Sequence, residues 1–182
     1  ARIYGIDCTV AGDGKLVRNL DLSLMLGYTY SVPIALDPNL VYYEHIETGT
    51  GNLRQYTFNN TSSDTSGYIL KYRIQHLGKA DLQFTFKKRY SAGITGKYYG
   101  YMKNIDVFLY QLDKPKAMHS GIVKYREEHN KGNFIVDFRI SVLIRDFKFS
   151  FLVNNVLNTE YSLRPITIEG PRTTSLQVVM TI

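Results

Sequence analysis

A chain of 182 residues with 15 Tyr, 9 Phe, no Trp and a formal charge of +6 has room for one domain, and its aromatic, Thr, Ser and Asn content suits strands and loops better than helices. Its Lys and Arg residues are mostly scattered singly, which excludes a basic run able to track a phosphate backbone and so excludes nucleic acid as a partner. The single cysteine excludes an intramolecular disulfide, no apolar run approaches the roughly eighteen residues of a membrane helix, and the opening residues do not read as a secretory leader.

Arg2 to Val10 predicts a first strand, with Tyr4, Ile6, Cys8 and Val10 on one face and Gly5, Asp7 and Thr9 on the other. Cys8 then reads as an inert apolar-face residue. Ala11-Gly12-Asp13-Gly14 predicts the turn that ends this strand. Asn19 to Tyr30 carries the cleanest stripe, Leu20, Leu22, Leu24, Leu26 and Tyr28 facing one way and Asp21, Ser23, Met25, Gly27 and Thr29 the other. From Ser31 to about Gly67 the alternation dissolves into a long loop, and loops of that length are usually functional or disordered.

Alternation resumes over Leu70 to Phe86, longer than an ordinary soluble strand but suited to a tilted barrel strand. Lys87-Lys88-Arg89 predicts a tight basic turn, and Tyr90 to Tyr101 a returning strand. A second long loop, Met102 to about Gly132, contains a short helix over Ile105 to Leu112. Phe134 to Ile140 and Phe147 to Phe151 predict two strands joined by Ile144-Arg145-Asp146, followed by a polar stretch from Asn154 to Arg172 and a last strand, Thr174 to Ile182. About seven strands result, with short turns on one side and long loops on the other, the rhythm of an all-β transmembrane antiparallel β-barrel. Single-chain bacterial barrels use even strand numbers, so an odd count reads as one arc of a larger barrel. The strand-like start without Met agrees with a fragment of something longer.

The segment Phe151-Leu152-Val153-Asn154-Asn155-Val156-Leu157-Asn158-Thr159-Glu160-Tyr161, with Gly170-Pro171-Arg172-Thr173 and a final alternating strand, resembles the C-terminal end of TonB-dependent outer-membrane transporters. Leu70 to Leu82, Tyr101-Met102-Lys103-Asn104-Ile105-Asp106 and Tyr125-Arg126-Glu127-Glu128-His129-Asn130-Lys131-Gly132 look more narrowly like the SusC/RagA branch of Bacteroidetes. The family often ends in Phe, whereas this chain ends Val178-Val179-Met180-Thr181-Ile182 with its alternation intact. The resemblance implies that residues 1–182 are the C-terminal segment of a 22-stranded, plugged barrel, with the plug and the earlier strands absent. It also implies an outer-membrane location, a SusD-like lipoprotein lid, the periplasmic TonB protein as energy coupler, and a glycan or peptide substrate.

Candidate contacts to substrate or lid are Tyr42, Tyr43, His45, Arg54 and Tyr56 in the first loop and Tyr110, Tyr125 and Arg126 in the second, since Tyr and Arg often dominate recognition. Lys71, Arg73, Asp81, Asp137 and Arg139 read as lumen-facing, the last two in a structural network. Tyr28, Tyr30, Tyr72, Tyr98 and Tyr161 fit interfacial girdles, where an apolar ring and a polar hydroxyl both find partners. His45, His76, His119 and His129 lack ligand-like spacing, so no metal and no cofactor is expected. Gly49-Thr50-Gly51 lacks the Lys and helix of a phosphate cradle. Nothing resembles a nucleophile elbow or an acid/base pair, and no enzyme is expected. Alternation alone leaves a second reading open, a soluble lipocalin-like barrel with its apolar face turned inward around a small apolar ligand.

Overall fold

The computed structural model describes residues 1–113 and 121–180; His119, Thr181 and Ile182 lie outside them. The fold is all-β. Seven strands form one antiparallel sheet: β1 (Arg2–Val17), β2 (Leu20–Ile34), β5 (His76–Phe86), β6 (Tyr90–Tyr99), β7 (Asn133–Ile144), β8 (Phe147–Asn154) and β9 (Thr173–Met180). A small hairpin, β3 (Tyr43–Ile46) with β4 (Leu53–Tyr56), stands apart from it. Three short helices, α1 (Phe58–Thr61), α2 (Val107–Gln111) and α3 (Ile122–Glu128), lie in the long connections. Each strand of the main sheet pairs only with its neighbours along the chain, in the order β1-β2-β5-β6-β7-β8-β9. β1 and β9 are therefore its two edges, and among the described residues neither edge is covered by another strand.

The pairing register aligns the alternation of every strand. One face runs Gly12, Leu24, Leu82, Ile94, Phe138 and Val153 across its middle. The same face runs Leu20, Phe86, Tyr90, Val142, Phe149 and Val178 near the short turns. The opposite face holds Ser23, Gln83, Gly93 and Arg139 in one row and Met25, Asp81, Thr95 and Asp137 in the next. Burial is inverted relative to a water-soluble sheet. On the polar face Thr95 is 6% and Ser150 8% exposed, whereas on the apolar face Ile94 is 46%, Phe138 38% and Phe134 53% exposed. Burying a large apolar side chain contributes roughly 1.5–3 kcal/mol, so a dozen half-exposed ones forfeit on the order of 10 kcal/mol, as much as a whole domain's stability. Such a face requires a cover.

Several boundaries differ from the sequence expectation. β1 does not turn at Ala11 to Gly14; it continues to Val17, with Gly12 opposite Leu24, Gly14 opposite Leu22, and Asp13 accepting from the Ser23 hydroxyl. The turn falls instead at Arg18-Asn19, where Asn19 takes φ 70, a left-handed conformation that Asn tolerates. β5 begins only at His76. The preceding Leu70 to Gln75 leaves the sheet because Tyr72 turns to φ 62 and donates its N–H to Asn104 O at 2.9 Å. The first long loop, read as structureless, contains β3 and β4, and the second contains α3 beside the expected helix at α2.

Candidate functional site

Two groups of side chains have the geometry of a functional surface: a charged ladder on the polar face, and a crevice in the cap that the long connections build over one end of the sheet. The ladder follows from register. Arg139 on β7 lies opposite Gly93 on β6, where a Cβ would sit 2.6 Å from the guanidinium carbon. With no side chain in the way, Arg139 reaches across β6 to β5. It grips Asp81 with both terminal nitrogens, at 2.8 and 2.7 Å, and donates to Gln83 Oε1 at 3.1 and 3.2 Å and to Thr95 Oγ1 at 2.9 Å. Thr95 in turn donates to Asp81. A bidentate pair with further donors is the strong form of ion pair. One row away, Lys97 Nζ meets Asp137 Oδ2 at 2.5 Å, and the other carboxylate oxygen accepts Asn155 N at 2.9 Å.

Asn155 explains the motif that follows β8. It and Asn158 both sit at φ 52. The buried Asn155 amide exchanges two hydrogen bonds of 2.9 Å with the Thr159 backbone, and Asn158 Oδ1 accepts Arg172 N at 2.9 Å. The chain thereby leaves β8 in a closed turn and is tied to the residues that open β9.

The cap holds the clearest hydrophobic core of the described residues. Ile105 is fully buried against Leu109 and Ile122, with Met102, Tyr110 and Leu112 packed around them. Beside it the buried Asn104 links the two long loops. Its Oδ1 accepts Asp64 N at 3.2 Å and its Nδ2 donates to Ile69 O at 2.7 Å. Gly132, at φ 84 with room for no Cβ against Tyr99 O, lets the second loop turn tightly into β7. Between the cap helices and the third loop, residues 155–172, lies a crevice of about 300 Å³, lined by Tyr101, Met102, Tyr125, His129, Arg164 and Ile166 among others. The Tyr125 ring stacks on His129 at 4.1 Å, and its hydroxyl is buried without a hydrogen-bond partner among the described residues. Burial raises the Tyr125 phenol above its usual range, helped by Glu160. Burial likewise raises Tyr101, against the lowering effect of Arg126, and is the first cause of the upward shifts at Tyr72 and Tyr161.

The structure distributes the residues expected from sequence unevenly. Tyr43 lies opposite Tyr56, and His45 opposite Arg54, so these four share one face of the β3-β4 hairpin. Tyr42 is separate, its hydroxyl 2.7 Å from Thr61 Oγ1. Tyr125 lines the crevice. Arg126 lines it too, but its guanidinium is engaged by Tyr110 Oη at 2.9 Å, Met102 O at 2.9 Å and Lys103 O at 3.0 Å, with the Tyr101 ring 4.8 Å away. That makes Arg126 and Tyr110 a clamp within the cap.

Asp81, Asp137 and Arg139 are on the polar face, whereas Lys71 and Arg73 are corrected to the segment before β5. There Lys71 bonds Asp106 at 2.9 Å and Thr61 at 2.8 Å, and Arg73 is exposed. Tyr28, Tyr30 and Tyr98 end the apolar face beside the cap. Tyr28 Oη contacts His76 Nδ1 at 2.8 Å, Tyr30 stacks on the same imidazole at 4.8 Å, and Tyr98 donates to Lys131 O at 3.0 Å. Tyr72 is in the cap, and Tyr161 stacks on Tyr99, a polar-face residue, so neither joins that row. Sequence reasoning weighed His129 only as a metal ligand and did not single out Arg164 and Ile166. Arg164-Pro165-Ile166-Thr167 closes as a turn with Ile166 at φ 70, a conformation in which a β-branched residue is an outlier; the Pro was the available signal.

Among the described residues no group of three His, Cys, Asp or Glu could hold a metal, and no helix is long and apolar enough to cross a membrane, which leaves strands untested. Comparison with known proteins finds no matching family model, curated protein or solved structure.

Proposed function

We propose that this chain is the C-terminal arc of the barrel wall of a SusC/RagA-like TonB-dependent outer-membrane transporter. The single observation that carries the reading is the inversion of the sheet: an apolar face left exposed across the strands, backed on the inner strands by a polar face that is hydrogen-bonded and more buried, whereas β1 and β9 are exposed on both faces. Its dimensions suit a membrane. Tyr90 and Tyr98, at the two ends of the apolar face of β6, are roughly 27 Å apart along the strand at about 3.4 Å per residue, which a tilt of about 35–45° projects to roughly 19–22 Å, the order of the apolar band of about 25 Å between aromatic girdles. The edges of β1 and β9 are available to the remaining strands of a larger barrel, which also holds the plug.

In this reading the Asp81-Arg139 and Lys97-Asp137 ladder faces the lumen, and the cap faces the outside beneath a SusD-like lipoprotein lid. The crevice beside Tyr125 contacts a glycan or peptide on its way in, its unpartnered hydroxyl donating to a substrate oxygen. TonB acts through the plug, and the chain binds and conducts without bond-making chemistry. The lipocalin-like alternative requires the apolar face to be the covered one, and the exposure of Ile94, Phe138 and Phe134 counts against it.

Extraction in detergent with comparison of unheated and boiled gel mobility, and mass spectrometry of whatever co-migrates, tests the proposal. A heat-modifiable species associated with plug-bearing polypeptide is expected; a water-soluble monomer of about 21 kDa sinks it.

A further inference from the structure

The short-turn end of the sheet has a charge pattern for which the transport reading has no use. Its three turns, Arg18-Asn19, Lys87-Lys88-Arg89 and Arg145-Asp146, carry five cations against one carboxylate. The middle turn is tied to both neighbours, Lys87 N donating to Asn19 O at 2.7 Å and Leu143 N to Arg89 O at 2.8 Å, so the three form one basic rim. Among the described residues none of the five cations is in an ion pair. Two of them fold back over aromatic rings. Lys87 Nζ lies 5.2 Å from the centroid of Phe86, and Arg89 Cζ 5.5 Å from that of Tyr90, within the range of cation–π attraction. Phe86 and Tyr90 are paired with each other on the apolar face, so both cations are drawn toward that face. The same face bears a groove of about 590 Å³ lined by Phe84, Phe86, Tyr90, Ile140 and Phe149.

We propose that this rim and groove form a site for an anionic phospholipid, with its phosphate between Lys87 and Arg89 and an acyl chain along the Phe86, Tyr90 and Phe149 rings. The inference rests on the apolar face being the membrane wall. Charge selects the headgroup: a choline lipid brings its own ammonium against the five unpaired cations, whereas a glycerol headgroup leaves the phosphate charge uncompensated until they meet it. Rings at the interface hold the cations at headgroup depth, where each Lys or Arg strengthens association with an anionic surface severalfold.

The protein as extracted in detergent is to be inserted into vesicles of phosphatidylcholine alone or mixed with phosphatidylglycerol, and the retained lipids counted by native mass spectrometry. The wild type, a K87Q/R89Q variant and a K88Q variant are compared, with heat-modifiability in phosphatidylcholine reporting folding. Preferential retention of phosphatidylglycerol by the wild type and K88Q, reduced about tenfold or more in K87Q/R89Q, is expected. Equal retention of the two lipids, an unchanged preference in K87Q/R89Q, or an equal loss in K88Q overturns the site. Failure of the wild type to insert into phosphatidylcholine counts against the membrane-wall reading, and insertion without lipid preference overturns only the lipid site.

Discussion

The cap and the sheet solve the same problem in opposite ways. In the cap, Ile105, Leu109 and Ile122 are buried together and Asn104, from the second loop, satisfies backbone groups of the first connection at Asp64 and Ile69, as in any water-soluble domain. In the sheet the apolar side chains are the exposed ones, and the hydrogen-bonded ladder of Asp81, Thr95 and Arg139 is on the less exposed side. One chain thus carries two opposite burial patterns, and the difference shows that hydrophobic patterning reports which face is apolar but not what lies against it.

The contrast is sharpest where a substitution has opposite expected outcomes in the two regions. Ile105→Ala empties the centre of the cap core and is expected to cost roughly 2–5 kcal/mol, seen as faster proteolysis or hydrogen exchange in the long loops while the sheet remains protected; an equal loss of protection in the sheet would make cap and sheet one cooperative unit. Phe138→Arg, in the middle of the apolar face, is expected to cost about 2–4 kcal/mol if that face meets lipid, measured by urea unfolding in vesicles. A change within about 0.5 kcal/mol, usual for a water-exposed position, would erase the contrast. Asn155→Ala places alanine at φ 52 and removes two amide hydrogen bonds, so about 1–3 kcal/mol is expected, read as loosening of the third loop and of the start of β9.

The gentlest test is pH. Tyr72, Tyr101, Tyr125 and Tyr161 all have phenols raised by burial. Their contribution is intact below the unfolded tyrosine pKa of about 10 and is lost as pH rises through the folded values. Alkaline titration followed by loop hydrogen exchange is expected to loosen the cap above about pH 10 with the sheet unchanged; simultaneous loss of both would show that the cap has no separate alkaline response.

Much of the sheet could be read in advance because a period of two is a local property. Leu20 to Tyr28 and Phe147 to Phe151 announce their faces without any partner. The errors arise where a partner decides. Gly12 and Gly14 look like a turn, yet opposite Leu24 and Leu22 they continue a strand. Leu70 to Gln75 alternates well, yet a hydrogen bond between Tyr72 and Asn104 pulls it into the cap. The β3-β4 hairpin is too short for its alternation to stand out, although it gathers Tyr43, His45, Arg54 and Tyr56 on one face. The charged ladder was half visible: Asp137 and Arg139 could be assigned to one face, but the reach of Arg139 over Gly93 to Asp81 depends on the register of three strands. The crevice depends on the meeting of two loops and had only Tyr125 and Arg126 as forerunners.

Nearest-neighbour pairing in the sheet also has a kinetic consequence. The β1-β2, β5-β6 and β7-β8 hairpins need only short turns, whereas joining β2 to β5 closes 41 intervening residues and joining β6 to β7 closes 33, each an entropic handicap of about 2–3 kcal/mol over a two-residue turn. Assembly therefore behaves as a zipper with two stiff teeth: the β1-β2, β5-β6 and β7-β8 hairpins set early, and the unions of β2 with β5 and of β6 with β7 come later. Pulse-labelled hydrogen exchange during refolding is expected to show protection inside the three hairpins before protection of the amides bonded between β2 and β5 or between β6 and β7.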